Sequence, residues 1–125
     1  MKIKLFHPSR TRKENLYHID PWDTWCFTTT LQPIILPMLK QLKETKHGAP
    51  FVDDVDVPDT LRSLELDADG LHISHFERWD YVLDSMIYAF EQLSEDEPYA
   101  SLVDVHSRIR TGLTLFGKYF RDLWD

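Results

Sequence analysis

Seven apolar side chains, Phe76, Trp79, Leu83, Met86, Ile87, Phe90 and Leu93, recur at spacings of one to four residues between positions 76 and 93. On a helix they form one stripe; on a strand they would scatter over both faces. This stretch therefore commits the chain to an amphipathic helix that needs an apolar layer packed on it. Ser74-His75-Phe76-Glu77 fits a capping box and predicts the helix start at Ser74.

Two further helical segments are predicted around it. The first starts at Asp20, which can cap free N–H groups, with Pro21 in the first helical position. Trp25, Phe27, Leu31, Ile34, Ile35, Met38 and Leu42 then recur at helical spacing, and Gly48 marks the stop. Thr28-Thr29-Thr30, Pro33 and Pro37 resist a straight helix, which predicts two pieces or a kink. The third segment follows Glu97-Pro98 and carries Leu102, Val105, Ile109, Leu113, Phe116, Phe120 and Leu123 to the last residues. Gly112 and Gly117 weaken it and suggest close approach of another backbone or a ligand. Lys2-Ile3-Lys4-Leu5 alternates as a short strand, and a single helical turn is expected after Pro58. Ser63 to Ser74 reads as a small hairpin with Asp69-Gly70 at its turn. The expected fold is mainly α (α+β): one domain over 1–125, three amphipathic helical segments, a short N-terminal strand and a small β-hairpin.

The charge is unevenly spread. The chain totals −7, but residues 51–104 hold −13 and the remainder +6. An acidic chain is a poor candidate for general nucleic-acid binding. The split is open to three readings: two solvated faces of opposite sign, an anion site built from the chain ends, or an acidic surface for a basic partner. No apolar run approaches the ~20 residues of a membrane span, and no secretory signal is visible at the start. The single cysteine, Cys26, excludes an internal disulfide, lies in an aromatic stretch and is expected in the core. The abundance of aromatic residues makes a homodimer a candidate.

Two groups of residues could carry chemistry. Arg10, Arg12 and Lys13 precede the first helix, and Arg108, Arg110, Lys118 and Arg121 lie on the third segment. If the chain ends meet, these seven cations attract phosphate, with Trp22 or Trp124 near for base stacking. The second group is metal-ligating: His72, His75, Glu77, Asp80 and Asp84. Carboxylates three and seven residues apart on one helix can hold a divalent cation when another helix supplies partners, which would make the chain a metal-dependent nucleotide hydrolase. The third segment offers only Asp104 and Asp122 for this. Glu65, Asp67, Asp69 and Gly70 match the first half of a calcium loop, but Phe76 stands where its last ligand is required. No nucleophile motif or phosphate-binding glycine loop is present, so a catalytic role and a cofactor are not expected.

Asp20-Pro-Trp-Asp-Thr-Trp25, Ile35-Leu-Pro-Met-Leu-Lys-Gln-Leu-Lys43, Lys46-His-Gly-Ala-Pro50, Val52-Asp-Asp-Val-Asp-Val-Pro58, Arg78-Trp-Asp-Tyr-Val-Leu-Asp84 and Leu115-Phe-Gly-Lys-Tyr-Phe120, with Leu123-Trp-Asp125, cover most of the chain. In these segments it resembles a family of small accessory proteins of tailed bacteriophages. The resemblance implies no catalytic role. It implies a setting, the cytoplasm of an infected bacterial host, and a non-enzymatic partner: a host defence protein to inhibit or a phosphorylated nucleotide signal to sequester. A virion or assembly component is the alternative within that setting.

Overall fold

The computed structural model, in which residues 2–4, 16–62, 65–70, 73–93 and 102–125 are described, is mainly helical. Two short strands, β1 (Lys2–Lys4) and β2 (Leu16–His18), pair antiparallel with Ile3 opposite Tyr17. Three helices follow, α1 (Phe27–Thr45), α2 (His75–Gln92) and α3 (Leu102–Lys118). Arg10, Arg12, Lys13 and His72 lie outside the described residues, as do Ser63, Leu64 and Leu71 of the expected hairpin and the Glu97-Pro98 approach to α3. Within that hairpin segment, Gly70 has φ +82° and donates its N–H to the Asp67 carbonyl, and the Ile73 N–H reaches the Glu65 carbonyl.

α2 is the spine. Trp79, Val82, Leu83 and Met86 are fully enclosed, and Phe90 is buried beside them. At about 1.5–3 kcal/mol per buried large apolar side chain, this one face supplies much of the driving force for folding. Leu39 of α1 covers it from one side, Leu115 and Tyr119 from the other, and Val52 and Val57 of the long α1–α2 loop close one end. Trp79 and Tyr119 meet edge to face, with ring centres 5.7 Å apart.

Three lysines fix α1 on α2. Lys40 pairs with Glu91 (3.2 Å), Lys43 with Asp84 (2.6 Å) and Lys46 with Asp80 (2.6 Å). As the number rises on α1 it falls on α2, so the two helices run antiparallel. The Asp84 carboxylate raises the Lys43 pKa through its hydrogen bond, against the opposing cost of burial. Farther along, the Gln32 side-chain amide donates to the Phe90 carbonyl at 3.0 Å.

α3 lies against α2 at a glycine. A Cβ built on Gly112 would stand 2.5 Å from the Ala89 Cβ and closer still to the Ser85 carbonyl oxygen. Close approach of a neighbouring backbone therefore explains Gly112. It does not explain Gly117, which has open space around it.

The structure corrects several expectations. Pro21–Thr24 forms one 3-10 turn after Asp20, and α1 begins only at Phe27, after Cys26 adopts an extended backbone. Thr30 supplies the reason, since its hydroxyl donates to the Asp23 carbonyl at 2.7 Å and docks the turn beside the helix instead of in line with it. Pro33 and Pro37 do not split α1. They are four residues apart and both exposed, so the two missing N–H donors fall on one solvent-facing line where water serves the freed carbonyls. Gly48 is not the helix stop, because α1 ends at Thr45 and is capped by Lys46, whose backbone turns extended while its N–H still reaches the Leu42 carbonyl. The capping box at Ser74 does not form, as that hydroxyl donates to the Leu61 carbonyl instead. Cys26 is exposed, not part of the core. α3 stops at Lys118, and Phe120–Asp122 makes a separate 3-10 turn.

The two glycines make opposite predictions. Gly112→Ala forces two backbones apart and should lower unfolding stability by about 1–3 kcal/mol. Gly117→Ala meets nothing and should raise it by about 0.5–1 kcal/mol. Urea denaturation of both variants checks the pair.

Candidate functional site

The described members of the expected anion site have separate engagements. The Arg108 guanidinium stacks 3.6 Å from the centre of the Tyr88 ring, at the α2–α3 seam. Arg110 borders a shallow hollow with His106, Ile109 and Leu113. Lys118 sits between Asp53 (2.8 Å) and Asp56 (2.6 Å) of the α1–α2 loop, and those carboxylates, Asp53 first, raise its pKa. Arg121 is exposed on the 3-10 turn after α3, and Trp22 is exposed on the turn before α1. Ten residues separate Arg108 from Lys118, ~15 Å along the helix. The structure thus spreads these side chains along α3 and gives Lys118 to the loop.

The residues considered for a metal are also placed. His75 is buried, its Nε2 2.9 Å from the Ala49 carbonyl oxygen, and its ring packs against Phe51 and Phe76. Asp80 and Asp84 face lysines of α1, and Glu77 is exposed. Among the described residues, no group of three or more His, Cys, Asp or Glu side chains is arranged to hold a metal ion.

The loop that carries the acidic run is tied down from both sides. The Arg78 guanidinium, only 2% exposed, donates to the carbonyls of Leu61 and Val52 and pairs with Asp54 at 2.9 Å. The Tyr119 hydroxyl donates to Asp56 at 2.6 Å and accepts the Asp53 N–H at 3.0 Å. Burial, together with the bond to Asp56, pushes the Tyr119 pKa up to about 12. The 53–56 stretch is therefore a strap tied down by Arg78 and Lys118, with Arg62 pairing Asp59 on its outer side.

The feature that remains is apolar. A groove of about 800 Å³ runs between α1 and the end of the chain. Leu31, Ile35, Met38 and Leu42 form one wall, and Phe116, Phe120, Leu123 and Trp124 form the other. Leu39 lies at its base, and Asp125 closes one end while bonding both the backbone and the ring of His47. Met38 is 57% exposed, Phe120 60% and Trp124 72%. The groove exists because α1 and α3 both pack on α2 and are held little by each other. Such a lining offers no acid, base or nucleophile; it excludes water and takes apolar groups.

Sequence reasoning placed Phe116, Phe120 and Leu123 on the apolar line of the third segment. The buried positions there are Gly112, Leu115 and Tyr119, while Phe116 and Leu123 pack against that core from its edge and Phe120 is exposed. The available signal was on α1, where no charged residue occurs from Thr24 to Leu39. A solvated helix face of that length normally carries charges.

No protein-family model, curated protein or solved structure matches the chain. Among the described residues, no helix is long and apolar enough to cross a membrane.

Alkaline pH should loosen the strap. The phenol of Tyr119 keeps its proton to about pH 12 in the native state, whereas the unfolded chain loses it near pH 10. The stability it contributes is present below about pH 10 and is lost as pH rises through 12. The raised pKa of Lys118 acts in the same direction. In thermal melts across that interval, Tyr119→Phe should show a shallower fall in Tm than the wild type.

Proposed function

We propose that the chain is a small non-enzymatic binding protein, an accessory protein of a tailed bacteriophage that neutralises a host protein in the cytoplasm of the infected bacterium. The single observation that carries the binding reading is the groove between α1 and residues 116–124, with Met38, Phe120 and Trp124 open to solvent at its walls. A soluble chain gains nothing in isolation by presenting three large apolar side chains around one concavity, whereas a partner that fills it removes them from water. The natural occupant is the apolar face of a helix, inserted with anchors three or four residues apart. α1 borders the groove from Leu31 to Leu42, ~16 Å at 1.5 Å per residue, which is room for about three turns.

The phage setting comes from the sequence resemblance alone. A phosphorylated nucleotide is the weaker ligand, because Lys118 is held by two carboxylates and Arg108 by a ring, whereas the groove is open.

A photo-crosslinking residue at Trp124, installed in the full chain and expressed in host cells, tests the proposal. It should yield one discrete adduct heavier than a self-adduct, and the same residue at Tyr81 on the exposed side of α2 should not. Phe120→Asp should weaken that adduct at least tenfold, since a charge at a central apolar anchor costs about 2 kcal/mol or more. Equal adducts from Trp124 and Tyr81, or an adduct indifferent to Phe120→Asp, would sink the proposal.

A further inference from the structure

Beside the groove, α1 carries a second strip, which shares Leu31 and Met38 with the groove wall. Phe27, Leu31, Ile34, Met38, Gln41 and Thr45 follow one another at spacings of four and three, the repeat of a coiled-coil seam. On a helix these six positions form one line, turned away from Leu36, Leu39 and the three lysines that meet α2. The strip faces out: Phe27 is 63% exposed and Met38 57%, Gln41 and Thr45 are exposed, and Ile34 is half-covered. Phe27, Ile34 and Gln41 do not line the groove; Leu31 and Met38 stand on the border between the two features.

We infer that a second copy of this chain packs along this strip, with the two α1 helices antiparallel. Three observations select that occupant. First, the strip is uncharged at all six positions, and the chain has no charged residue from Thr24 to Leu39. A chain of net charge −7 repels its own copy, and a contact face without charges adds no close like-charge pair to that repulsion. Depletion of charge together with Met and aromatic enrichment is also the composition of an interface core. Second, the strip is complementary to itself only when reversed. In the antiparallel register Ile34 faces Met38 of the other copy, Leu31 faces Gln41 and bulky Phe27 faces small Thr45. The reversed pair also opposes the two helix dipoles, which a parallel pair would align. Third, the area suffices. The 3-10 turn that the Thr30 hydroxyl holds beside the strip adds Trp22 (73% exposed) and Trp25 (79%) to its Phe27 end. At 150–250 Å² per aromatic side chain, these three rings alone present roughly 300–550 Å² per copy. The aliphatic positions then bring the surface toward the ~800 Å² per partner of a stable interface. Because α1 is a wall of the groove, the second copy also raises a further wall along the groove's open rim.

The inference does not depend on the groove's ligand, and its test is separate. Sedimentation velocity of the full chain at micromolar concentration should give a species of twice 14.8 kDa. Phe27→Glu combined with Met38→Glu, both at exposed positions, should raise the dimer dissociation constant more than tenfold with helical circular dichroism unchanged. Gln41→Leu, which leaves the monomer's own core untouched, should lower it by about tenfold. Orientation is read from a spin label at Thr45→Cys in a Cys26→Ser background. The antiparallel pair separates the two labels by ~27 Å along the helix axes, while a parallel pair brings them to the ~10 Å between neighbouring axes. A chain that stays monomeric both as wild type and as Gln41→Leu, or a dimer that survives the double glutamate variant, overturns the inference. A ~10 Å label separation overturns the antiparallel packing.

Discussion

A missing side chain sets the geometry of this molecule. At Gly112 the backbone of α3 lies directly on Ser85 and Ala89 of α2. α3 packs chiefly on that neighbour. α1 is drawn to the opposite flank of α2 by the lysine ladder, and its Leu39 reaches the shared core. Both outer helices are thus bound to the middle one and little to each other. The gap between them is floored by core side chains and walled by residues that would be core in a closed bundle. The groove is the geometric remainder of two good helix contacts.

The ionic groups repeat the same theme. The sequence shows an acidic middle and basic ends, which invites a search for an acidic face or a basic pocket. In the fold the two signs are largely brought together. Lys40, Lys43 and Lys46 meet α2, Lys118 and Arg78 meet the 53–56 loop, and Arg62 holds that loop's outer turn. Most of these pairs are partly exposed and worth little each. Arg78 is the exception. Its guanidinium is buried, and its bonds to two backbone carbonyls and a carboxylate make α2 dependent on the loop, because withdrawing the loop leaves that buried charge without its partners.

How much of this was legible depends on whether a residue's role is local. The α2 stripe was, because Trp79, Leu83, Met86 and Phe90 satisfy helical periodicity and one shared burial surface at once. The turn after Pro58 was also legible. Gly112 showed as a weakness with a purpose, but which glycine of the two had the neighbour depends on Ala89, which lies 23 positions away in the chain. Periodicity gave the α3 helix but did not divide its apolar positions between core and groove. Apolar positions wrap far enough round that helix to serve both a core and a groove, and hydrophobicity alone does not separate Leu115 from Phe116. Cys26 was misjudged because its aromatic neighbours Trp25 and Phe27 are themselves exposed. The groove needed the relative placement of α1 and α3, which no single segment encodes.

The two prolines of α1 divide the groove's wall into unequal halves. Pro33 and Pro37 remove two backbone bonds in its first half, while Lys40, Lys43 and Lys46 anchor its second half to α2. Local opening follows local bonding, so amide exchange should be graded along this helix, fast around Leu31 and slow around Leu42. The wall is compliant where the chain enters it and stiff where it leaves. Any occupant of the groove would therefore meet a fixed register at one end and an adaptable surface at the other, and differences in its size would be absorbed near Leu31 without disturbing the core beneath Leu39.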